Sequence, residues 1–187
     1  MDLRGRSEIS DISVLSALTQ LKTLYLNGSQ VADLSPVRHL KQLRNFSFDD
    51  TQVVDLAALS ELHELQSVSF SNTKVSNVAS LQELTKLSFL VFQNTKVTDV
   101  TTLSALTRLS LLRVNGSPIR DVSPLRGLTN LEDLNLSNTS VTDVSPLAAL
   151  TSLKQLRLYD VQAEDYGVLA SRGRQSPMLR RWQICQA

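Results

Sequence analysis

The sequence has one cysteine, Cys185, two residues from its end, so an internal disulfide is excluded and no cysteine cluster can hold a metal. Charge of one sign is lacking as well. With 19 basic and 18 acidic side chains the net charge is +1, and no whole-molecule field draws the chain to nucleic acid or an anionic membrane. No stretch approaches the roughly 18 consecutive apolar residues of a membrane span. Residues Met1 to Ser10 carry Asp2, Arg4, Arg6 and Glu8 and lack the apolar run of a signal peptide, so the chain as it stands reads as cytoplasmic. Its natural compartment stays open. Glycine-rich phosphate loops, His/Cys metal spacings and a nucleophile elbow are all missing. The two histidines, His39 and His63, have no carboxylate or serine fixed beside them, so neither is read as a catalytic base. The expectation is a protein that is not an enzyme, with no cofactor and no metal.

What is present is a repeat. The chain has 187 residues, enough for one domain, and 42% of them are hydrophobic, enough for a core. Leu21, Leu43, Leu65, Leu87, Leu109 and Leu131 follow one another at steps of 22, with Leu153 next. Counted from the first leucine of each unit, positions 1, 4, 6, 11, 14, 17 and 20 are apolar in all six units. In the first unit these are Leu21, Leu24, Leu26, Val31, Leu34, Val37 and Leu40.

Positions 4 and 6 alternate with exposed neighbours at 3, 5 and 7, the period of a strand with one buried face. Positions 14 to 20 have an apolar spacing of three, which suits a tight helical turn. Ser-Pro at Ser35-Pro36, Ser123-Pro124 and Ser145-Pro146 is read as a capping hydroxyl ahead of a proline. One such unit cannot bury its apolar side alone. Parallel stacking about 4.8 Å apart gives a continuous core with the strands lining a concave face. Two polar columns read as structural. The hydroxyls of position 9, from Ser29 to Thr139, are expected to turn inward and bond backbone. The Asp or Asn of position 13, from Asp33 to Asp143, is expected to accept from N–H groups where the convex segment begins.

The pattern LxxLxLxxTxVxDVSPLxxLTxL, running from Leu131 to Leu153, resembles the 22-residue repeat of the bacterial internalin-like leucine-rich-repeat proteins. It is also similar to phosphatase-regulating proteins built of 22-residue repeats and to some protozoan repeat proteins. The resemblance covers nearly the whole chain. It implies an α/β fold: a right-handed leucine-rich-repeat solenoid, or horseshoe, with a parallel sheet on the concave face and short 3-10 or α segments on the convex face.

The expected organisation is a partial N-terminal repeat over 1–20, six 22-residue repeats over 21–152, and a longer terminal repeat with a C-terminal cap over 153–187. Upstream, Ile9, Ile12, Leu15 and Leu18 are in register, but the opening strand reads as missing or irregular. Leu3 falls at position 5, off the buried face unless an extra residue near Arg6 bulges out. Downstream, Leu179, Trp182 and Ile184 restate the strand pattern, Glu164 to Arg172 reads as a helix, and Trp182 with Cys185 is expected to close the core.

The outward columns locate a candidate binding site. Most residues at positions 3, 5 and 7 are small and polar, but Phe89, Val91 and Leu111 depart from this together, with Arg113 beside them. Tyr25 and Tyr159, with Arg157, are read as contacts at its margins. The expected function is a non-catalytic protein–protein interaction module that holds an unidentified protein on its concave face. The resemblance adds a bacterial adhesin or effector as the setting, with an intracellular regulatory subunit of an enzyme such as a protein phosphatase as the alternative. The chain is expected to be monomeric, or to self-associate weakly through an uncapped N-terminal end. Neither membrane insertion nor nucleic-acid binding is expected; Arg172, Arg174, Arg180 and Arg181 read as a solvated basic cluster.

Overall fold

The computed structural model describes residues 1–167, Leu169 and Trp182–Gln183. Strands β1 (Thr23–Tyr25), β2 (Asn45–Ser47), β3 (Ser67–Ser69), β4 (Phe89–Val91), β5 (Leu111–Arg113), β6 (Asp133–Asn135) and β7 (Gln155–Arg157) recur every 22 residues. With β8 (Trp182–Gln183) they form one open parallel sheet in sequence order. Register is kept by the repeat itself: Phe46 pairs with Val68, Val68 with Leu90, and Leu90 with Leu112. β8 falls where the restated pattern places it, with Trp182 opposite Leu156.

The core follows the seven apolar columns. Of the residues in them only Leu21, in the first full unit, is partly exposed; the others are buried. Position 6 carries Phe48, Phe70 and Phe92 in consecutive coils. Their rings stack at centroid distances of 5.7 and 5.3 Å, and Phe46 adds a tilted contact to Phe48 at 4.7 Å. The middle coils thus share an aromatic spine.

Each coil turns out of its strand at position 8 through a left-handed residue. Gly28 and Gly116 both have φ of 74°, and Asp50, Asn72, Asn94, Asn138 and Asp160 lie between 52° and 57°. Glycine takes this conformation freely, and Asn and Asp tolerate it better than other side chains. The next column behaves as expected except at Ser29, whose buried hydroxyl has no partner among the described residues. Thr51, Thr73 and Thr139 donate to the carbonyls of Phe48, Phe70 and Leu136 at 2.7, 2.8 and 2.6 Å, and Ser117 donates to Phe92 of the preceding coil at 3.0 Å.

The convex segments are short 3-10 helices, such as Ser35–His39 and Ser123–Gly127. The Ser-Pro serine does not cap them, contrary to expectation. The capping atom is the carboxylate two residues earlier: Asp33 Oδ1 accepts the Ser35 N–H at 2.7 Å, and the Ser35 hydroxyl donates to Asp33 Oδ2 at 2.7 Å. The bond recurs from Asp11 at 2.8 Å to Asp143 at 2.8 Å, with Asn77 taking the same place at 2.7 Å. The serine is the first helical residue, so its hydroxyl serves the carboxylate and leaves the helix N–H groups to others.

These bonds hold the carboxylates below their ordinary value. The Ser35 N–H and hydroxyl lower Asp33, the Ser13 N–H and hydroxyl lower Asp11, and the hydroxyl and N–H of Thr101 and Ser145 lower Asp99 and Asp143. Asp2 is lowered to about 2 by the Arg4 guanidinium and N–H. A depressed folded pKa means that the unfolded chain takes up protons first. The stabilisation is therefore whole above the ordinary aspartate value of 3.8 and is lost as pH falls from there through the lowered folded values. Urea midpoints should stay level from neutral pH down to about 5 and then drop below about 4. A D33N/D99N/D143N chain should show a shallower acid limb. An equal acid limb in that variant would remove these carboxylates from the account.

The N-terminal coil is irregular rather than strandless. The Tyr25 N–H donates to the Met1 carbonyl at 3.1 Å, the Leu3 N–H to Tyr25 at 2.9 Å, and Gly5 to Asn27 at 2.8 Å, so Asp2 lies opposite Tyr25. Leu3 thereby takes the buried register beside Leu26, and the extra residue is absorbed after Gly5, whose φ of 69° matches Gly28. At the other end Gly167 and Leu169 are helical, while Glu164 to Tyr166 precede the helix; the remainder of the expected helix and Cys185 lie outside the described residues. No helix among the described residues is long and apolar enough to cross a membrane.

Candidate functional site

Alternation along three-residue strands leaves the middle residue buried and its two neighbours on the solvent face, and the same pattern holds in β1 to β7. Parallel register then lines up equal positions of adjacent coils. Phe89 lies opposite Leu111 and Val91 opposite Arg113, so the four residues expected to form a patch adjoin across β4 and β5. Four of the five phenylalanines are within the core, whereas Phe89 is 47% exposed. Val91 and Leu111 are half-buried beside it.

Arg113 and Arg157 are two strands apart and are joined by a residue that the sequence alone does not single out. Asp133, in β6 between them, receives Arg113 Nη2 at 2.8 Å on one oxygen and Arg157 Nη1 at 2.7 Å on the other. Arg157 Nη2 also donates to Gln155 at 2.6 Å. Two guanidinium groups share one carboxylate, so the cluster keeps one positive charge. Asp133 sits one coil from each arginine, and pairing depends on how far the long side chains reach across the sheet.

Tyr25 does not join the patch. It lies in β1, separated from β4 by the polar residues of β2 and β3, and the Arg4 guanidinium sits 4.9 Å from its ring centre. Tyr159 follows β7 and is 52% exposed, and its N–H donates to Ser137 Oγ at 3.2 Å. Each tyrosine is therefore a separate marginal position.

The surface before the patch has a different chemistry. Asp49, two residues beyond β2, accepts from Asn27 Nδ2 at 2.6 Å, Ser47 Oγ at 3.0 Å, Ser69 Oγ at 2.5 Å and the Ser71 N–H at 2.6 Å. Both serine hydroxyls spend their protons on this carboxylate, so only their lone pairs face outward. Asp49 stands at position 7, an outward column, and its spacing gives no sign of this role.

The convex side carries a groove of about 550 Å³ between the Ser35–His39 and Ala57–Leu59 segments. Arg38, His39 and Lys41 line it opposite Asp33, Asp55 and Glu61, with Lys41 paired to Glu61 at 2.7 Å. His39 and His63 are both exposed, and no group of three or more His, Cys, Asp or Glu placed to hold a metal occurs among the described residues. The basic cluster from Arg172 to Arg181 lies outside the described residues.

Residues 5–112 match the family model of the BspA type leucine-rich repeat region, in six copies, and residues 129–170 match leucine-rich repeats in two copies. No curated protein sequence matches the chain. An internalin (inlF) of Listeria monocytogenes has a similar structure, with a TM-score of 0.89 and 27% identity over 96% of this chain and 52% of that one. The internalin C2 (inlC2) of the same organism gives 0.87 and 25% over 95% of this chain and 76% of that one. A leucine-rich-repeat protein of Leptospira interrogans shares the fold at 0.80 and 19% identity, over 90% and 44% of the two chains. The chain therefore spans about half the length of the first internalin.

Proposed function

We propose, from the premise that this chain belongs to the leucine-rich-repeat family, that it binds a partner protein on its concave sheet through Phe89, Val91, Leu111 and Arg113. Proteins of this family are in general interaction modules without catalysis, and the chain is a protein–protein interaction module of that kind. The observation that carries the choice of surface is the exposure of Phe89, the one phenylalanine outside the core, beside Leu111 on an otherwise polar sheet. An isolated exposed leucine would need no explanation, but adjoining apolar groups mark a contact. The likeness to the two internalins supports a bacterial recognition protein, an adhesin or effector, as the setting. Arg157 and Tyr159 extend the contact towards the C-terminal coils, and Tyr25 marks its opposite margin.

Phe89 already has about half its surface covered, so the part left for a partner is worth about 1–1.5 kcal/mol, or roughly tenfold in affinity. Phe89→Ser and Leu111→Ser should each weaken binding by about that factor while the urea midpoint stays near wild type, because both side chains stand on the solvent face. Partner recovered from host-cell surface or from cytosol provides the ligand for the titration. Full affinity in both folded variants would sink the assignment.

A further inference from the structure

From the arrangement of charge around the patch we infer the chemistry of its occupant: an extended segment of a partner protein with a basic residue, an apolar residue and an acidic residue, in that order from β2 towards β7. The inference rests on the concave-face reading. Among positions 3, 5 and 7 of the first three strands' coils the only charged residue is Asp49. It is surrounded by hydroxyls that present lone pairs. This end asks for a donor with positive charge. The coils of β5 to β7 carry Arg113, Asp133 and Arg157, one positive charge in excess. That end asks for a carboxylate. Phe89, Val91 and Leu111 lie between the two.

Spacing turns the arrangement into a pattern. Asp49 stands two coils and two residues along the strand from Val91, about 12 Å, and Val91 stands two coils from β6, about 10 Å. An extended chain advances about 3.3 Å per residue. The basic residue therefore falls three or four positions to one side of the apolar residue, and the acidic residue three to the other. Placing like charges at either end sets them against Asp49 or against the arginine pair, so specificity has a repulsive part as well as an attractive one.

The test uses twelve-residue peptides with a central leucine and serine or threonine filler. One peptide carries lysine four residues from the leucine and glutamate three residues beyond it, and a second has the same pattern in reversed chain order. A third has lysine at both places and a fourth glutamate at both. Anisotropy titrations at low salt should find one of the mixed peptides at least tenfold tighter than either like-charged peptide. An R113Q/R157Q chain, left with Asp133 and Asp49, should shift its preference to the two-lysine peptide, and Asp49→Asn should shift it to the two-glutamate peptide. Equal binding of all four, or no binding up to millimolar concentration, would overturn the charge order. Phe89→Ser separates the two readings. If it weakens every peptide alike while charge makes no difference, the patch stands and the charge order falls; if binding ignores it, the surface itself is wrong.

Discussion

Replacing Phe70 with alanine should cost about 3–5 kcal/mol of stability, a large share of the 5–15 kcal/mol typical of a folded domain. The ring lies between Phe48 and Phe92, at 5.7 and 5.3 Å and within 14° of parallel to both, and it is fully buried. Its removal opens a void that neighbours on both sides cannot fill, because their own positions are fixed by strand register at steps of 22 residues. In a stacked array each coil touches only its neighbours, so the damage sits at the junction of the N-terminal and C-terminal halves. Urea unfolding followed by circular dichroism should show a lower midpoint and a broader or two-step transition. Phe70→Leu should lose far less, since Leu26 and Leu136 fill the same column in other coils. A loss below about 1 kcal/mol for the alanine variant would show that the aromatic spine is not a keystone of the stack.

The spine belongs to the part of the molecule that is legible in the sequence. Core columns and outward columns follow from periods of 22 and 2, and a period survives any detail of side-chain geometry; that is why Phe89 and Leu111 could be placed on the solvent face from spacing alone. Leu21 is the exception within the core columns; the Met1–Gly5 segment hydrogen-bonds to Tyr25 and Asn27, beyond it along the coil. That segment was hard to read for a definite reason. One additional residue after Gly5 shifts Leu3 by one place, and in a period-two strand one place separates core from solvent.

Other features depend on atoms that spacing does not report. The Asp33 carboxylate and Ser35 hydroxyl are both plausible caps on paper, and only the direction of the Ser35 N–H decides between them. The Arg113–Asp133–Arg157 cluster requires side chains on three strands to converge, although each residue looks like an ordinary member of a polar column. Position 8 had a usable signal of another kind. Gly28, Asp50, Asn72, Asn94, Gly116, Asn138 and Asp160 share no hydropathy, but they are the residue types that accept a positive φ. Reading columns by allowed backbone conformation as well as by polarity would have found the turn.

That column yields the second large effect. Gly116→Ala should destabilise the chain by about 2–3 kcal/mol, and Gly28→Ala by about 1–2 kcal/mol, although the two glycines have the same φ of 74°. At Gly28 a Cβ would meet nothing nearer than the Gly5 Cα at 3.7 Å, so only backbone strain is felt. At Gly116 it would fall 2.0 Å from Asn94 Oδ1 and force that side chain to move. Asn94 Nδ2 donates to Asn72 Oδ1 at 2.9 Å, and Asn72 Nδ2 donates to Asp50 Oδ1 at 2.8 Å, so the displacement breaks the end of an amide ladder spanning three coils. The difference between the two glycines is then about one hydrogen bond. A double-mutant cycle isolates it: once Asn94 is alanine, Gly116→Ala should cost no more than Gly28→Ala. Equal costs in the presence and absence of the Asn94 amide would mean that strain alone governs the turn.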